Sequence, residues 1–292
     1  MSAIDDLFRN LKSQGRKALM PFVTAGDPDL DFTAQLLTRL AASGASLCEL
    51  GIPYSDPIAD GPVIQASYTR ALARGVKLAD ILAMLGRVTP GLSVGAKGDS
   101  PIFATTLRRV PAKIGTVPAV PVVTMASYAI IYRHGLESYV RAAKAAGAAG
   151  AIVPDLPLEE SGPLAEVCRR EDFSLVQLIT PATPRDRAQR IAQRTTGFIY
   201  YVSVTGITGE RSELPPEIIE NVAWLRGQTP LPIAIGFGIS RPEHVRMLSP
   251  VADGLIVGSA IVRRVAEAAS KPRDAVLQEV GDYLHDLLAA ME

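Results

Sequence analysis

Cysteine, tryptophan and histidine are scarce in this chain, and neither sign of charge is in excess. Its 292 residues include two cysteines, one tryptophan and three histidines, and 30 lysines and arginines balance 30 aspartates and glutamates. Two cysteines alone form neither a disulfide framework nor a zinc site, and so few thiols are typical of a reducing compartment. Because the formal net charge is zero, nucleic acid and anionic membranes are not expected partners.

Long apolar segments are also missing. No run approaches the roughly 18 uninterrupted apolar residues that a transmembrane helix needs. The N-terminal sequence MSAIDDLFRNLKSQGRK is charged from its start, unlike a secretory signal. We therefore expect a cytoplasmic protein. A composition of 48% hydrophobic and 21% charged residues excludes a disordered or collagen-like chain, and the length suffices for a sizeable core.

What the chain does have is a regular alternation of short apolar runs and amphipathic stretches. The runs are apolar on both faces, as strands covered by helices are, and the stretches between them have helical spacing. The predicted strands are, in order, Ala18–Val23, Ala45–Gly51, Val120–Ala126, Ala149–Val153, Ser174–Ile179, Gly197–Ser203, Leu231–Gly236 and Asp253–Val257. The predicted helices between them are Leu30–Ala42, Leu78–Val88, Leu136–Ala146, Leu158–Arg170, Arg185–Gln193, Pro215–Arg226 and Pro242–Leu248.

Eight βα units in 292 residues predict an α/β protein, a single TIM (β/α)8 barrel domain that spans residues 1–292. An extra helix at Ala3–Leu11 is expected to plug the bottom of the barrel, and a final helix carries an apolar stripe from Leu277 to Met291. A doubly wound open sheet is the alternative. That fold usually has a Gly-rich nucleotide turn after its first strand, whereas this chain has TAGDPDL there.

The segment 90–118 is long for a connection between a helix and a strand. It lies between the second predicted helix and the third predicted strand, and it is rich in glycine and proline. We interpret it as an inserted loop on the N-terminal face of the barrel, away from the chemistry.

Carboxylates at the end of the second predicted strand are candidate catalytic groups, because TIM-barrel active sites lie at the carboxyl ends of the strands. Glu49 lies in such an end, within CELGIPYSDPIADGP. If it points inward, burial raises its pKa, which suits a proton shuttle. The following loop carries Asp56 and Asp60. As alternatives, Asp56 caps a turn and Asp60 is solvated, or the carboxylates bind Mg²⁺, although no histidine or third clustered ligand supports a metal.

Glycines near the ends of three later strands predict an anion site. The sequences TGITGE, IGFGIS and VGSAIV lie at the ends of the sixth, seventh and eighth predicted strands. Glycine lets backbone N–H groups approach an anion closely, and a helix N-terminus adds partial positive charge. Because TIM barrels often bind phosphate after strands 7 and 8, we expect a phosphate group here.

The sequence ELGIPYSDPIADGP resembles the signature of tryptophan synthase alpha chains. Further blocks of that family agree in order along the chain, namely PFVTAGDP, SVTGITG, IGFGIS and VGSAIV. The resemblance covers nearly the whole chain except 90–118. It implies a lyase of tryptophan biosynthesis that splits indole-3-glycerol phosphate into indole and glyceraldehyde 3-phosphate by a retro-aldol step, with no metal or organic cofactor. It also implies a pyridoxal-phosphate-dependent beta chain as partner in an αββα complex, to which indole passes through a tunnel.

The resemblance also implies roles for individual residues. Glu49 matches the general acid–base, and Asp60 matches the carboxylate that contacts the indole N–H and stabilises the cationic intermediate. The phosphate contacts of the family fall on Gly209, Gly238, Gly258 and Ser259. Its indole pocket falls on Phe22, Ile64, Tyr200 and Phe237. Asp56 and Thr208 match a pair that ties two loops together when the site closes.

The chain departs from the family pattern at three positions. Ser127 and Ala129 stand where relatives commonly have tyrosine and asparagine, and Val204 stands where some have arginine. These changes affect positions linked to the indole site, to partner contact and to loop closure. They motivate one alternative to the two-subunit lyase, a stand-alone lyase that releases indole. Two further alternatives are a non-catalytic module that activates a beta chain and another phosphate-binding barrel such as a sugar-phosphate isomerase.

Overall fold

A computed structural model describes residues 2–58, 60–92, 119–203, 217–236 and 238–291 of the chain, in which strands and helices alternate. The strands are β1 (Ala18–Thr24), β2 (Cys48–Gly51), β3 (Val122–Met125), β4 (Ala148–Ile152), β5 (Ser174–Val176), β6 (Leu178–Ile179), β7 (Ile199–Val202), β8 (Ile233–Gly236) and β9 (Gly254–Val257). The helices are α1 (Ala3–Ser13), α2 (Leu30–Ala42), α3 (Pro62–Ala73), α4 (Leu78–Val88), α5 (Tyr128–His134), α6 (Leu136–Ala145), α7 (Gly162–Arg170), α8 (Arg185–Arg194), α9 (Glu217–Arg226), α10 (Pro242–Leu248), α11 (Ser259–Ala266) and α12 (Arg273–Ala289).

The strands form a nearly closed parallel barrel. Their order is β5-β4-β3-β2-β1-β9-β8-β7-β6, and the described pairs run parallel. Only Gln177 separates β5 from β6, and its carbonyl oxygen accepts a hydrogen bond of 3.1 Å from the N–H of Tyr200. The two ends of the sheet therefore meet within the stretch predicted as the fifth strand. This architecture confirms the predicted TIM barrel.

Successive residues of each strand face opposite sides of the barrel wall, as the period of two in a β-strand requires. In β1, Met20 and Phe22 point into the barrel, whereas Leu19 packs against the surrounding helices. Both neighbours of Glu49 in β2, Cys48 and Leu50, also pack on the helix side. Glu49 therefore faces the barrel interior.

Helix α1 lies at the N-terminal ends of the strands. Its N-cap residue Ser2 takes part in a capping box, which fixes the start of the helix. The Oγ atom of Ser174, at the start of β5, donates a hydrogen bond of 3.0 Å to the Oγ atom of Ser2. The buried residues Ile4, Phe8 and Leu11 recur at helical spacing and belong to the interior cluster of the barrel. Apolar side chains therefore fill this end.

The sequence-based prediction gives no bounds for three helices, α3, α5 and α11. Helix α3 begins after Gly61, with Pro62 in its first turn, a position that proline favours. Its buried residues are Ile64, Ser67, Tyr68 and Ala71, so a serine interrupts the apolar stripe that reveals most buried helices. The predicted helix Leu158–Arg170 is shorter in the structure, because a 3-10 turn at Leu158–Glu160 precedes α7.

Residues 93–118 lie outside the described part of the chain, so the inserted loop at 90–118 stays a prediction. Within the described ranges, none of the helices combines the length and the hydropathy that a membrane span needs.

Candidate functional site

A pocket of about 450 Å³ opens at the carboxyl ends of the strands, opposite α1. Its lining residues come from six strands or the loops that follow them and from α3, and they are Phe22, Glu49, Asp60, Ile64, Met125, Tyr200, Gly238, Ile239, Ile256, Gly258 and Ser259. The structure thus brings eight of the twelve predicted site residues to one pocket.

Glu49 is fully buried in this pocket, at 0% exposure. Among the described residues, neither of its carboxylate oxygens has a hydrogen-bond partner. Burial, with a smaller contribution from the nearby charge of Asp60, raises the pKa of the Glu49 carboxyl from 4.5 to about 8. The condition stated in the sequence analysis is therefore met: Glu49 points inward, and burial raises its pKa as expected. A carboxyl group with this pKa exchanges protons readily near neutral pH.

Asp60 lies in the loop between β2 and α3 and is 6% exposed, so the alternative in which it is solvated is wrong. Burial raises the pKa of its carboxyl to about 6, against a lowering effect of the Tyr54 hydroxyl, which donates to Oδ2 at 3.4 Å. The side-chain amide of Gln65 donates to the carbonyl oxygens of Pro57 (3.2 Å) and Asp60 (2.8 Å). Helix α3 thereby holds the backbone of the loop in place.

Two tyrosines lie close to these carboxylates. Burial, followed by the charges of Glu49 and Asp60, raises the pKa of Tyr200 well above its usual value. The pKa of Tyr68 is raised in the same way by burial and by the charges of Asp60, Tyr54 and Glu49. Both phenols therefore stay protonated near neutral pH.

Glycines at two strand ends make room for the aromatic walls of the pocket. A Cβ atom on Gly51, the last residue of β2, would lie 2.5 Å from Cζ of Phe22. A Cβ atom on Gly236, the last residue of β8, would overlap the hydroxyl and ring of Tyr200. No real Cβ atom tolerates such distances, so glycine at these positions sets where Phe22 and Tyr200 lie.

Polar contacts fasten α3 to the barrel. The Arg70 guanidinium makes a two-pronged ion pair with the buried carboxylate of Asp27, after β1, at 2.9 and 2.7 Å. The hydroxyls of Thr24 and Ser67 are 2.6 Å apart in the buried core. These contacts hold the inner face of α3, and with it Ile64, at the mouth of the pocket.

The other side of the pocket has the features of the predicted anion site. Gly258 and Ser259 line it at the N-terminus of α11, whose N–H groups and dipole favour negative charge. Gly238 lines it with a positive φ of 76°. Gly209, predicted for the same site, lies outside the described residues.

Four predicted residues are not placed in the pocket. Asp56 is exposed and is not among the lining residues, and its carbonyl oxygen accepts a turn hydrogen bond of 2.8 Å from the N–H of Ile58. Thr208, Gly209 and Phe237 lie outside the described part of the chain, as does Val204. The predicted contact between the Asp56 and Thr208 loops therefore stays a prediction.

Sequence reasoning missed three apolar lining residues, Met125, Ile239 and Ile256. Met125 ends β3 and Ile256 lies near the end of β9. Strand parity at the ends of the predicted strands would have identified both, since inward residues at carboxyl ends face the pocket. Ile239 follows the strand, and no sequence signal distinguishes it.

The altered position Ser127 has a structural role. Its hydroxyl donates to Oδ2 of Asp155 at 2.6 Å, and the N–H of Tyr128 donates to Oδ1 at 2.7 Å. The Ser127 Oγ atom also accepts a hydrogen bond from the N–H of Ala129 and so caps α5. These contacts join the loops that follow β3 and β4.

No metal centre is found within the described ranges, because no group of three or more histidine, cysteine, aspartate or glutamate side chains could hold an ion there. Both cysteines, Cys48 and Cys168, are free thiols and buried.

Comparison with known proteins places the chain in a family. The family model of the tryptophan synthase alpha chain matches residues 8–95 and 102–287. The tryptophan synthase alpha chain of Rhodopirellula baltica is 51% identical over 299 residues, which cover 100% of this chain and 99% of the relative.

Comparison with solved structures points to the same family. The tryptophan synthase subunit alpha of Legionella pneumophila has a TM-score of 0.82 at 33% identity, and the match covers 100% of this chain and 98% of that one. A chain of the tryptophan synthase complex from Pyrococcus furiosus has a TM-score of 0.76 at 33% identity, covering 93% and 98%. With a family match over most of its length and a relative of 51% identity, the chain belongs to the tryptophan synthase alpha chain family.

Proposed function

We propose that this chain is the alpha subunit of a tryptophan synthase and cleaves indole-3-glycerol phosphate to indole and glyceraldehyde 3-phosphate. The reaction is a carbon–carbon lyase step of tryptophan biosynthesis. The observation that carries the proposal is a fully buried Glu49 whose carboxyl has a pKa raised to about 8. It shares one pocket with Asp60 and with the N-terminus of α11.

Glu49 is the proposed general acid–base. Because its pKa is about 8, it holds a proton near neutral pH and donates it to C3 of the indole ring. As a carboxylate, it then accepts the proton of the hydroxyl on the carbon attached to C3. The carbonyl of the aldehyde forms, the carbon–carbon bond breaks, and its electron pair returns to the ring. One group thus serves both proton transfers of the retro-aldol step.

Asp60 is the proposed partner of the ring nitrogen. Protonation at C3 leaves a positive charge that is shared with the indole nitrogen. With a pKa of about 6, Asp60 is largely ionised at neutral pH and accepts a hydrogen bond from that N–H. A carboxylate already in place stabilises the developing charge most effectively where water is excluded.

The rest of the pocket fits the two ends of the substrate. Phe22, Ile64 and Tyr200 provide apolar and aromatic surface for the indole ring, together with Phe237 as proposed from the family pattern. Gly238, Gly258 and Ser259 provide backbone N–H groups and a helix N-terminus for the phosphate, with Gly209 as a further proposed contact.

Closure of the site is proposed to involve Asp56 and Thr208, on the loops after β2 and β7. Asp56 is exposed in the loop between β2 and α3, so its carboxylate is accessible to a second loop. Contact between the loops would exclude water from the reacting indole.

A beta chain is the proposed protein partner, in an αββα assembly that receives the indole. The match to a chain of the Pyrococcus furiosus tryptophan synthase complex supports this proposal. The family resemblance implies that this chain needs no cofactor, since the protonated indole ring itself accepts the electron pair of the broken carbon–carbon bond, and pyridoxal phosphate would belong to the partner. Two buried free thiols fit a cytoplasmic location.

The test is indole release from indole-3-glycerol phosphate by the purified chain, with and without a cognate beta chain. Slow release that rises sharply with the beta chain is expected. Brisk release with no partner effect would favour a stand-alone lyase, the alternative that Ser127, Ala129 and Val204 leave open. No release by folded protein under either condition would contradict the proposal.

A further inference from the structure

A hydrogen bond joins Tyr54 to Asp60 within the same loop. The Tyr54 hydroxyl donates to Oδ2 of Asp60 at 3.4 Å. Asp60 also lines the pocket, so Tyr54 contacts a carboxylate that lies in the pocket wall. We infer that Tyr54 is a positioning residue for the lyase reaction, which orients the Asp60 carboxylate toward the indole N–H. The inference rests on the function proposed above.

The Tyr54 ring is fixed by its neighbour. It packs on the ring of Tyr68 at a centroid distance of 5.5 Å and an interplanar angle of 53°, a tilted geometry that aromatic pairs favour. Tyr68 belongs to α3 and is fully buried. Because α3 is tied to the barrel by Arg70 and Asp27, the Tyr54 hydroxyl is presented to Asp60 from a rigid support.

The side chain and the backbone of Asp60 are held by different groups. Gln65 binds the Asp60 carbonyl oxygen at 2.8 Å and so fixes the loop backbone. That contact leaves rotation about the side-chain bonds of Asp60 free. The Tyr54 hydroxyl restricts this rotation, which is the property that preorganised charge stabilisation requires.

Tyr54 is kept in the donor state by its surroundings. Burial and the charges of Asp60 and Asp155 raise the pKa of the Tyr54 phenol above its usual value. Asp155 is in turn held by Ser127 and by the N–H of Tyr128. The hydroxyl therefore retains its proton near neutral pH and donates to Asp60.

Four titratable groups influence the Asp60 carboxyl or are influenced by it: Glu49 on β2, Tyr54 in the loop, Tyr68 on α3 and Tyr200 on β7. The three phenols are neutral near pH 7, and Glu49 is largely protonated because its pKa is about 8. Tyr54 is the group whose hydrogen bond lowers the pKa of Asp60. Loss of its hydroxyl therefore raises that pKa further.

The test is the Tyr54→Phe variant, which removes the hydroxyl and keeps the ring pair. The expected kcat/KM for indole release is about two- to fivefold lower, because an O–H···O distance of 3.4 Å is long and such a bond contributes at the low end of the usual range. The acidic limb of the kcat/KM profile should move to higher pH, so the loss is larger at pH 6 than at pH 7.5. A purely structural role would not shift that limb.

Tyr132→Phe is the matched control. Tyr132 is 69% exposed and forms a ring pair with Tyr128 of similar geometry, 5.9 Å and 53°, so its activity profile should match the wild type. An unchanged profile in Tyr54→Phe, or a loss that is equal at every pH, would overturn the inference.

Carboxyl-carbon NMR titration of Asp60 separates this inference from the proposed function. The Asp60 pKa should be higher in Tyr54→Phe than in the wild type even if neither protein releases indole. An equal pKa in the two proteins would overturn the inference, whereas absence of indole release by the wild type would overturn the proposed function.

Discussion

The two ends of the barrel are built from the same inner face of the same strands, and they differ in what covers them. At the N-terminal end, α1 inserts Phe8, whose ring lies 5.7 Å from that of Phe198. At the carboxyl end, α3 leaves a pocket in which Glu49 and Asp60 are buried. The first end is filled with apolar side chains and the second holds buried carboxylates beside an open space.

The two ends of the barrel contribute differently to the free energy of unfolding. Burial of a large apolar side chain such as Phe8 stabilises the fold by about 2–3 kcal/mol. Burial of a carboxylate such as Glu49, which has no hydrogen-bond partner among the described residues, lowers stability in its ionised form. The N-terminal end, filled by α1, is called the closed end here, and it stabilises the folded state. The carboxyl end, with its pocket, is called the open end, and its buried carboxylates lower stability but allow proton transfer.

The largest effect is expected from Glu49→Gln at the open end. Glutamine keeps the size of the side chain but can neither donate nor accept the catalytic proton, so kcat should fall by about 10³-fold or more. Indole release by the folded variant measures the loss. Glu220→Gln, an exposed change on α9, is the control. Near-normal turnover in Glu49→Gln would remove Glu49 from the mechanism.

Phe8→Ala tests the closed end. Truncation of a buried phenylalanine should lower the free energy of unfolding by about 3–4 kcal/mol, while kcat/KM of the folded protein stays near the wild-type value. Urea unfolding and indole release are the two measurements. Asn10→Ala, an exposed change on the same helix, should have little effect on either. A selective loss of activity in Phe8→Ala would contradict a purely stabilising role for this end.

Gly236→Ala tests how the wall of the open end is positioned. The added Cβ atom meets the buried ring of Tyr200, so the ring must shift and kcat/KM should fall about tenfold. Gly86→Ala is the matched control, because its Cβ atom would have only an ordinary contact of 3.7 Å with Ala146. Equal kcat/KM values for the two variants would show that the position of the Tyr200 ring does not affect the reaction.

A separate effect of Glu49 is expected on the pH dependence of the free energy of unfolding. The pKa of Glu49 is about 8 in the folded chain against 4.5 for an ordinary glutamate, so the folded state binds more protons between these values. Its contribution to stability is therefore present below pH 4.5 and is lost as the pH rises through 8. Glu49→Gln lacks this titration.

Urea midpoints across that pH range measure the effect. The wild type should lose more stability from pH 5 to pH 8 than Glu49→Gln does. Parallel curves for the two proteins would show that Glu49 titrates normally in the folded chain.

Local sequence was sufficient to predict the bounds of a helix where the cap and the apolar spacing were both clear. The predicted bounds of α2 agree with the structure at both ends, because Asp29 caps the helix and its apolar residues recur at helical spacing. Strand parity separated Glu49 from Cys48 and Leu50, which lie on the other face of β2, and the structure showed which face is inside. By contrast, α3 was not predicted, because Ser67 lies in its buried stripe. The Ser67 hydroxyl donates to the carbonyl oxygen of Ile64 one turn earlier and also contacts Thr24 on β1, and the second contact cannot be read from local sequence.

The sequence by itself determined the alternation of strands and helices, the parity of each strand and the residues of the family signature, because these depend on spacing along the chain. The tertiary structure decided which end is filled and which is open, because that depends on where α1 and α3 pack. It also decided the two raised carboxyl pKa values, about 8 for Glu49 and about 6 for Asp60, since desolvation arises only when distant segments enclose the same space.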